Sequence, residues 1–122
     1  MSDATFSPRT TSATLVVVSS DLEGLPGRRI ELAGAALRIG RSEECDLVLA
    51  VQTVSRRHAE LTPTASGWLL RDLGSANGVW LGQQRIHEHP LRDGDEFRLG
   101  GTVLRFEAQQ VSQRLAVGPR VA

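Results

Sequence analysis

The chain has 122 residues, 40% hydrophobic and 23% charged, which are values of a globular chain with one core of ordinary domain size. Fourteen basic residues, all arginine, balance fourteen acidic ones, so no global field draws the chain to nucleic acid or anionic lipid, and any anion site must be local. The single cysteine, Cys45, excludes an intrachain disulfide or a multi-cysteine zinc centre and suits a reducing, cytoplasmic setting. The longest aliphatic run, Leu15 to Val18, falls far short of the roughly 20 residues that span a bilayer, and no signal peptide opens the chain, so a soluble protein is expected.

In chain order, residues 1–13 are rich in Ser, Thr and Pro and offer little to bury, so they read as a flexible tail. Residues 14 to 20 hold a β-branched run suited to a strand and too short for a helix. Pro26-Gly27 marks a turn, since Pro fixes φ at one central position and Gly takes positive φ at the next, and a hairpin to the alternating segment Arg29 to Leu32 follows. Ala36 to Ile39 predicts another strand, ending at Gly40. His58 to Thr62 and Trp68 to Arg71 predict a strand pair joined by a loop containing Pro63, Ser66 and Gly67, and Val79 to Leu81 a further strand. Phe97 and Leu99 alternate with Glu96 and Arg98, and Gly100-Gly101 then turns the chain into Val103, Leu104 and Phe106, a strong two-residue hairpin signal. Only Glu107 to Ala116, where Val111 and Leu115 stand four apart, allows a short helix. The domain is expected over residues 14–108, with 109–122 a second tail. Many short strands broken by Gly, Pro, Asn and Asp indicate an all-β antiparallel sandwich or barrel.

Three segments between the strands carry the polar chemistry: Gly40-Arg41, then Val54-Ser55-Arg56-Arg57-His58, then Asp72-Leu73-Gly74-Ser75-Ala76-Asn77-Gly78. Loops of Gly, Ser, Asn and Arg on an antiparallel scaffold are where binding usually resides. The guanidinium forks of Arg41, Arg56 and Arg57, with the hydroxyls of Ser55 and Ser75 and nearby free backbone amides, suit a phosphate dianion. Asn77 supplies a donor and an acceptor that suit an extended peptide backbone beside it.

These segments resemble the forkhead-associated domain. The resemblance rests on Leu37-Arg38-Ile39-Gly40-Arg41-Ser42, Cys45-Asp46-Leu47-Val48-Leu49, Val54-Ser55-Arg56-Arg57-His58-Ala59 and Asp72-Leu73-Gly74-Ser75-Ala76-Asn77-Gly78-Val79, with a closing Leu91 to Phe106 segment containing Asp93-Gly94-Asp95. It covers residues 14 to 108. The resemblance implies an eleven-stranded β-sandwich that reads phosphothreonine in partner proteins, downstream of Ser/Thr kinases, with no catalysis and no cofactor. It carries the phosphate contacts onto Arg41, Ser55 and Arg56, with Ser75 joining them, and the grip on the peptide backbone onto Asn77. His58 braces the loop, while Gly40 and Gly78 support the site. Ala76 stands where many members have a hydroxyl side chain, which removes one donor.

Plainer readings apply to several of these residues. Arg57 points outward, since neighbours at a strand entrance face opposite ways. Trp68 and Trp80 read as core or edge packing, and Cys45 as a small buried filler. Against an enzyme, His58, His87 and His89 form no His-Glu-x-x-His arrangement, and nucleophile-elbow and Walker-type motifs are absent; no metal site is expected. The alternative function is a phosphate-independent scaffold that binds a partner, or itself, through a face or strand edge. A further expectation is that Thr10 or Thr11 in the tail, once phosphorylated, becomes a ligand for the domain itself.

Overall fold

The computed structural model describes residues 12–109, which form eleven strands and, among the described residues, no helix. The first sheet has six strands in the order β2-β1-β11-β10-β7-β8: β1 (Ser12–Ser19), β2 (Arg29–Leu32), β7 (Val79–Leu81), β8 (Gln84–Ile86), β10 (Glu96–Leu99) and β11 (Thr102–Gln109). The second has five, ordered β4-β3-β5-β6-β9: β3 (Leu37–Gly40), β4 (Leu47–Val48), β5 (Ala59–Thr64), β6 (Gly67–Asp72) and β9 (Glu88–Leu91).

Alternation decides which face each strand buries. In β10 Phe97 and Leu99 are buried while Glu96 and Arg98 are exposed, and in β3 Leu37 and Ile39 are buried around an exposed Arg38. Leu15, Val17, Leu104 and Phe106 from the first sheet meet Ile39, Leu61 and Leu70 from the second in one core, with the inner faces of the two sheets packed together. Burying each such side chain contributes about 1.5–3 kcal/mol.

The hairpin expected around Pro26-Gly27 is present: Val16 pairs with Arg29, and Gly27 donates its amide to the Val17 carbonyl at 2.7 Å. Gly100-Gly101 turns β10 into β11, pairing Leu99 with Thr102, and only Gly100, at φ 57°, takes the positive φ, the pattern of a II′ turn.

Other expectations need correction. The first strand begins at Ser12, opposite Gln109, rather than at residue 14. Pro63 and Gly67 lie inside β5 and β6, which leaves only Ala65 and Ser66 between the strands. Pro63 costs no ladder bond towards β3, whose pairing with β5 ends at Leu37 opposite Leu61. Among the described residues eight of the nine strand pairings are antiparallel, but β3 and β4 pair in parallel, Ile39 with Leu47. Glu107 to Gln109 belong to β11 rather than to a helix. The rest of that helix, and Thr10 and Thr11, lie outside the described residues.

The topology gathers the polar loops at one end. Gly40 closes β3, Ala59 opens β5, Asp72 closes β6 and Val79 opens β7. The Gly100-Gly101 turn joins them there, since a Cβ on Gly100 would meet Thr53 and Val54. Ser12 and Gln109 close the opposite end, a full eight-residue strand away, about 26 Å at 3.3 Å per residue.

Candidate functional site

The loop from Val54 to His58 lies against the end of β3. A Cβ on Gly40 would collide with the Arg56 carbonyl and stand 2.9 Å from Cys45 Sγ, so only glycine allows this approach. The loop is held by Arg41, whose amide donates to the Ser55 carbonyl at 2.9 Å, and by Ser42, whose amide donates to the Arg56 carbonyl at 3.2 Å. Cys45 is buried and its thiol donates to that same Arg56 carbonyl at 3.3 Å. Burial pushes the Cys45 pKa above its ordinary value, opposed by a backbone hydrogen bond at Ser42. Its place as a buried filler follows, with the added duty of fixing Arg56.

Arg41 folds its side chain over the same loop. Its Nε donates to the Val54 carbonyl at 3.0 Å, which leaves both terminal nitrogens without a protein partner among the described residues. Arg56 and Arg57 are likewise exposed, and no carboxylate lies within 4 Å of Arg41, Arg56 or Arg57 among those residues. Unpaired arginines on one loop cluster make a local positive field on a chain of zero net charge.

His58 is fully buried beneath this surface. Its Nδ1 accepts the Ser55 amide at 3.0 Å, so the proton sits on Nε2, which donates to the Gly78 carbonyl at 2.8 Å. The imidazole thus ties the Ser55 loop to the Gly78 loop. A second tie runs from the Ala76 amide to Ser55 Oγ at 3.0 Å, and a third from Asn77 Nδ2 to the Thr53 carbonyl at 2.9 Å. Ser55 keeps its hydroxyl proton to donate, and Asn77 keeps its side-chain oxygen.

Ser75 has a different environment from the other candidates. It is 6% exposed, its amide donates to Asp72 Oδ1 at 2.8 Å, and its hydroxyl accepts the Gly78 amide at 2.9 Å, so it shapes the turn from inside. Gly78 needs its φ of 88° and packs so closely against Arg85 that a Cβ would stand 2.9 Å from Arg85 Cζ. Arg41, Ser55, Arg56 and Asn77 therefore share one rim, with Gly40, His58, Ser75 and Gly78 below it. Trp68 is core, whereas Trp80 lies on the outer face under Arg98, 5.6 Å from its guanidinium carbon, and donates Nε1–H to the Asn77 carbonyl at 2.9 Å. Sequence reasoning missed Thr53, Trp80 and Arg85 as site neighbours. Only their spacing from Asn77 and the turn at Gly82 could have pointed to them.

Among the described residues no cluster of three or more His, Cys, Asp or Glu converges as for a metal, and no helix is long and apolar enough to cross a membrane.

Comparison with known proteins adds the family. The model of the FHA domain matches residues 37–100, half of the chain. FhaB of Mycolicibacterium smegmatis, an FHA domain-containing protein, is 39% identical over 85 residues, covering 67% of this chain and 54% of that protein. A structure from a study of phosphothreonine-dependent FHA domain interactions superposes with a TM-score of 0.68 at 33% identity, covering 79% of this chain and 95% of the other. Mycobacterium tuberculosis EmbR in complex with a low-affinity phosphopeptide superposes at 0.70 with 36% identity, covering 79% of this chain and 24% of that one. The chain spans about half, or less, of the length of the curated relatives it matches.

Proposed function

The chain belongs to the FHA-domain family, and on that premise we propose that it binds phosphothreonine in a partner protein, reading the product of a Ser/Thr kinase. FHA domains are binding modules rather than enzymes. The observation that carries the reading is the rim itself: Arg41 and Arg56, with no carboxylate within 4 Å among the described residues, on the same loop cluster as the free hydroxyl proton of Ser55. Arg41 offers its two terminal nitrogens as a fork to two phosphate oxygens, Ser55 donates its O–H, and Arg56 adds a second guanidinium. Asn77 receives the peptide backbone next to the phosphothreonine.

Nothing is transferred or cleaved; the work is recognition. Because His58, Ser75 and Gly78 hold the donors in place before the ligand arrives, little ordering of the loops opposes binding. A flexible peptide must still be ordered, so an affinity near micromolar, about 8 kcal/mol, is expected. The signal is then reversible. We place the module in the cytoplasm, where its kinase and reducing conditions would be found, and set its bounds at residues 14–108 extended to the Ser12–Gln109 pair.

The test is a titration of one peptide as its phosphothreonine, phosphoserine and unmodified forms. Binding that requires the phosphate and prefers threonine supports the reading. Equal affinity for the unmodified peptide would overturn it in favour of the phosphate-independent scaffold.

A further inference from the structure

Behind the rim stands the β7–β8 hairpin, in which Trp80 and Arg85 are direct cross-strand partners. Each donates to a main-chain carbonyl of the 75–78 loop. Trp80 Nε1 takes the Asn77 carbonyl at 2.9 Å, and Arg85 Nη2 takes the Ser75 carbonyl at 3.3 Å. The two bonds fall on either side of Ala76.

The Ser75 carbonyl and the Ala76 amide belong to the same peptide unit, which is planar with its C=O and N–H pointing in opposite directions. Arg85 therefore holds one edge of that plane, and Ser55 Oγ accepts from the other edge at 3.0 Å. Fixing the carbonyl fixes the direction of the N–H, and donation to the oxygen polarises the unit and strengthens the bond on its far side. With one side of its oxygen occupied by Ala76, Ser55 is left to turn its O–H towards the loop mouth.

Arg85 is suited to this task in two further ways. Its guanidinium lies so close over Gly78 that a Cβ there would stand 2.9 Å from both Cδ and Cζ, so the plane of the side chain is set by contact as well as by hydrogen bonding. No carboxylate lies within 4 Å of it among the described residues to draw it away.

From this geometry we infer that Arg85, assisted by Trp80, is a positioning residue for phosphopeptide binding, acting through the Ser75–Ala76 peptide plane on Ser55 without touching the ligand. The inference rests on the phosphothreonine reading and assigns that site one of its determinants.

The experiment compares wild type with Arg85→Met, which keeps an unbranched apolar stem but loses donors and charge, and Arg85→Lys, which keeps the charge but not the planar face. Both are also made with Ser55→Ala, and Arg41→Ala serves as a control. Titrations use one phosphothreonine peptide, and amide hydrogen exchange at Ala76 is followed in the free protein. Arg85→Met is expected to weaken binding about tenfold and to speed Ala76 exchange severalfold, with a melting temperature close to wild type. Lysine is expected not to rescue. In the Ser55→Ala background the same change is expected to cost less than twofold, because its route to the ligand has already been removed.

Wild-type affinity in Arg85→Met, full rescue by lysine, or an undiminished tenfold loss in the Ser55→Ala background would overturn the inference while the phosphothreonine reading stood. If the wild-type protein binds the phosphopeptide no better than Arg41→Ala does, the reading and the inference fail together.

Discussion

Replacing His58 by alanine separates bracing from contact. The imidazole is fully buried and makes two hydrogen bonds, one from the Ser55 amide at 3.0 Å and one to the Gly78 carbonyl at 2.8 Å. Alanine leaves both backbone groups without that partner, and an unsatisfied buried group costs about 1–3 kcal/mol. Water entering the vacated space offsets part of this, so the loss comes to about 2–4 kcal/mol. At roughly 4–8 °C per kcal/mol for a domain of this size, the melting temperature falls by about 8–30 °C, and the protein still folds in the cold if its total stability is within the usual range of about 5–15 kcal/mol. Calorimetry of the free variant, with a phosphopeptide titration at 5 °C, gives both quantities. The expected pair is a large loss of stability with a smaller loss of affinity. An unchanged melting temperature with abolished binding would refute the reasoning, because it would put His58 against the ligand.

Arg41→Ala should reverse that pattern, weakening phosphopeptide binding by about 2–5 kcal/mol while thermal denaturation hardly changes, since among the described residues the exposed guanidinium makes only the Nε bond to Val54. Gly40→Ala should destabilise the fold and weaken binding together, as its Cβ collides with the Arg56 carbonyl; intact stability by calorimetry would contradict the close approach. Affinity should fall severalfold between pH 7 and pH 5, because the phosphate, with its second pKa near 6, gives up its second charge; a methylphosphonate ester of the same threonine, which has only one ionisable oxygen, should show no such trend. Cys45, buried and with a raised pKa from desolvation, should react with iodoacetamide only after denaturant is added, as mass spectrometry would read. Phosphorylation of Thr10 or Thr11 should leave the affinity of dilute monomer for free phosphopeptide unchanged, because Ser12 lies at the end opposite the loops and one or two residues of chain reach only about 7 Å.

The site was legible because its chemistry lies outside the strands: glycines where backbones touch, and arginine, serine and asparagine where no ladder needs them. The resemblance implied support from Gly40 and bracing by His58; the structure has a close backbone approach at the first and two loop-tying bonds at the second. Ser75 did not, since a serine that shapes a turn and one that meets a ligand look the same until the Gly78 amide is seen bound to it. Strands β1, β2, β3, β10 and β11 follow alternation or β-branching, whereas β4 and β8 do not. The two residues of β4 depend on reciprocal bonds between Arg38 and Asp46 that no local pattern announces. Gln84-Arg85-Ile86 in β8 is too polar to read as a strand, and Pro90 in β9 hides an edge strand. Arg85 became interpretable only through its register opposite Trp80.

The pairing of Ser12 with Gln109 has a consequence for how such a module is carried. Chain entering at β1 and chain leaving from β11 pass side by side, so a host polypeptide can hold the sandwich as a bud on a loop without stretching its own fold. A segment attached at either flank starts from the end of the sandwich opposite the rim that holds Arg41 and Asn77. Swapping hosts would then change what the module delivers and where, while leaving what it recognises untouched.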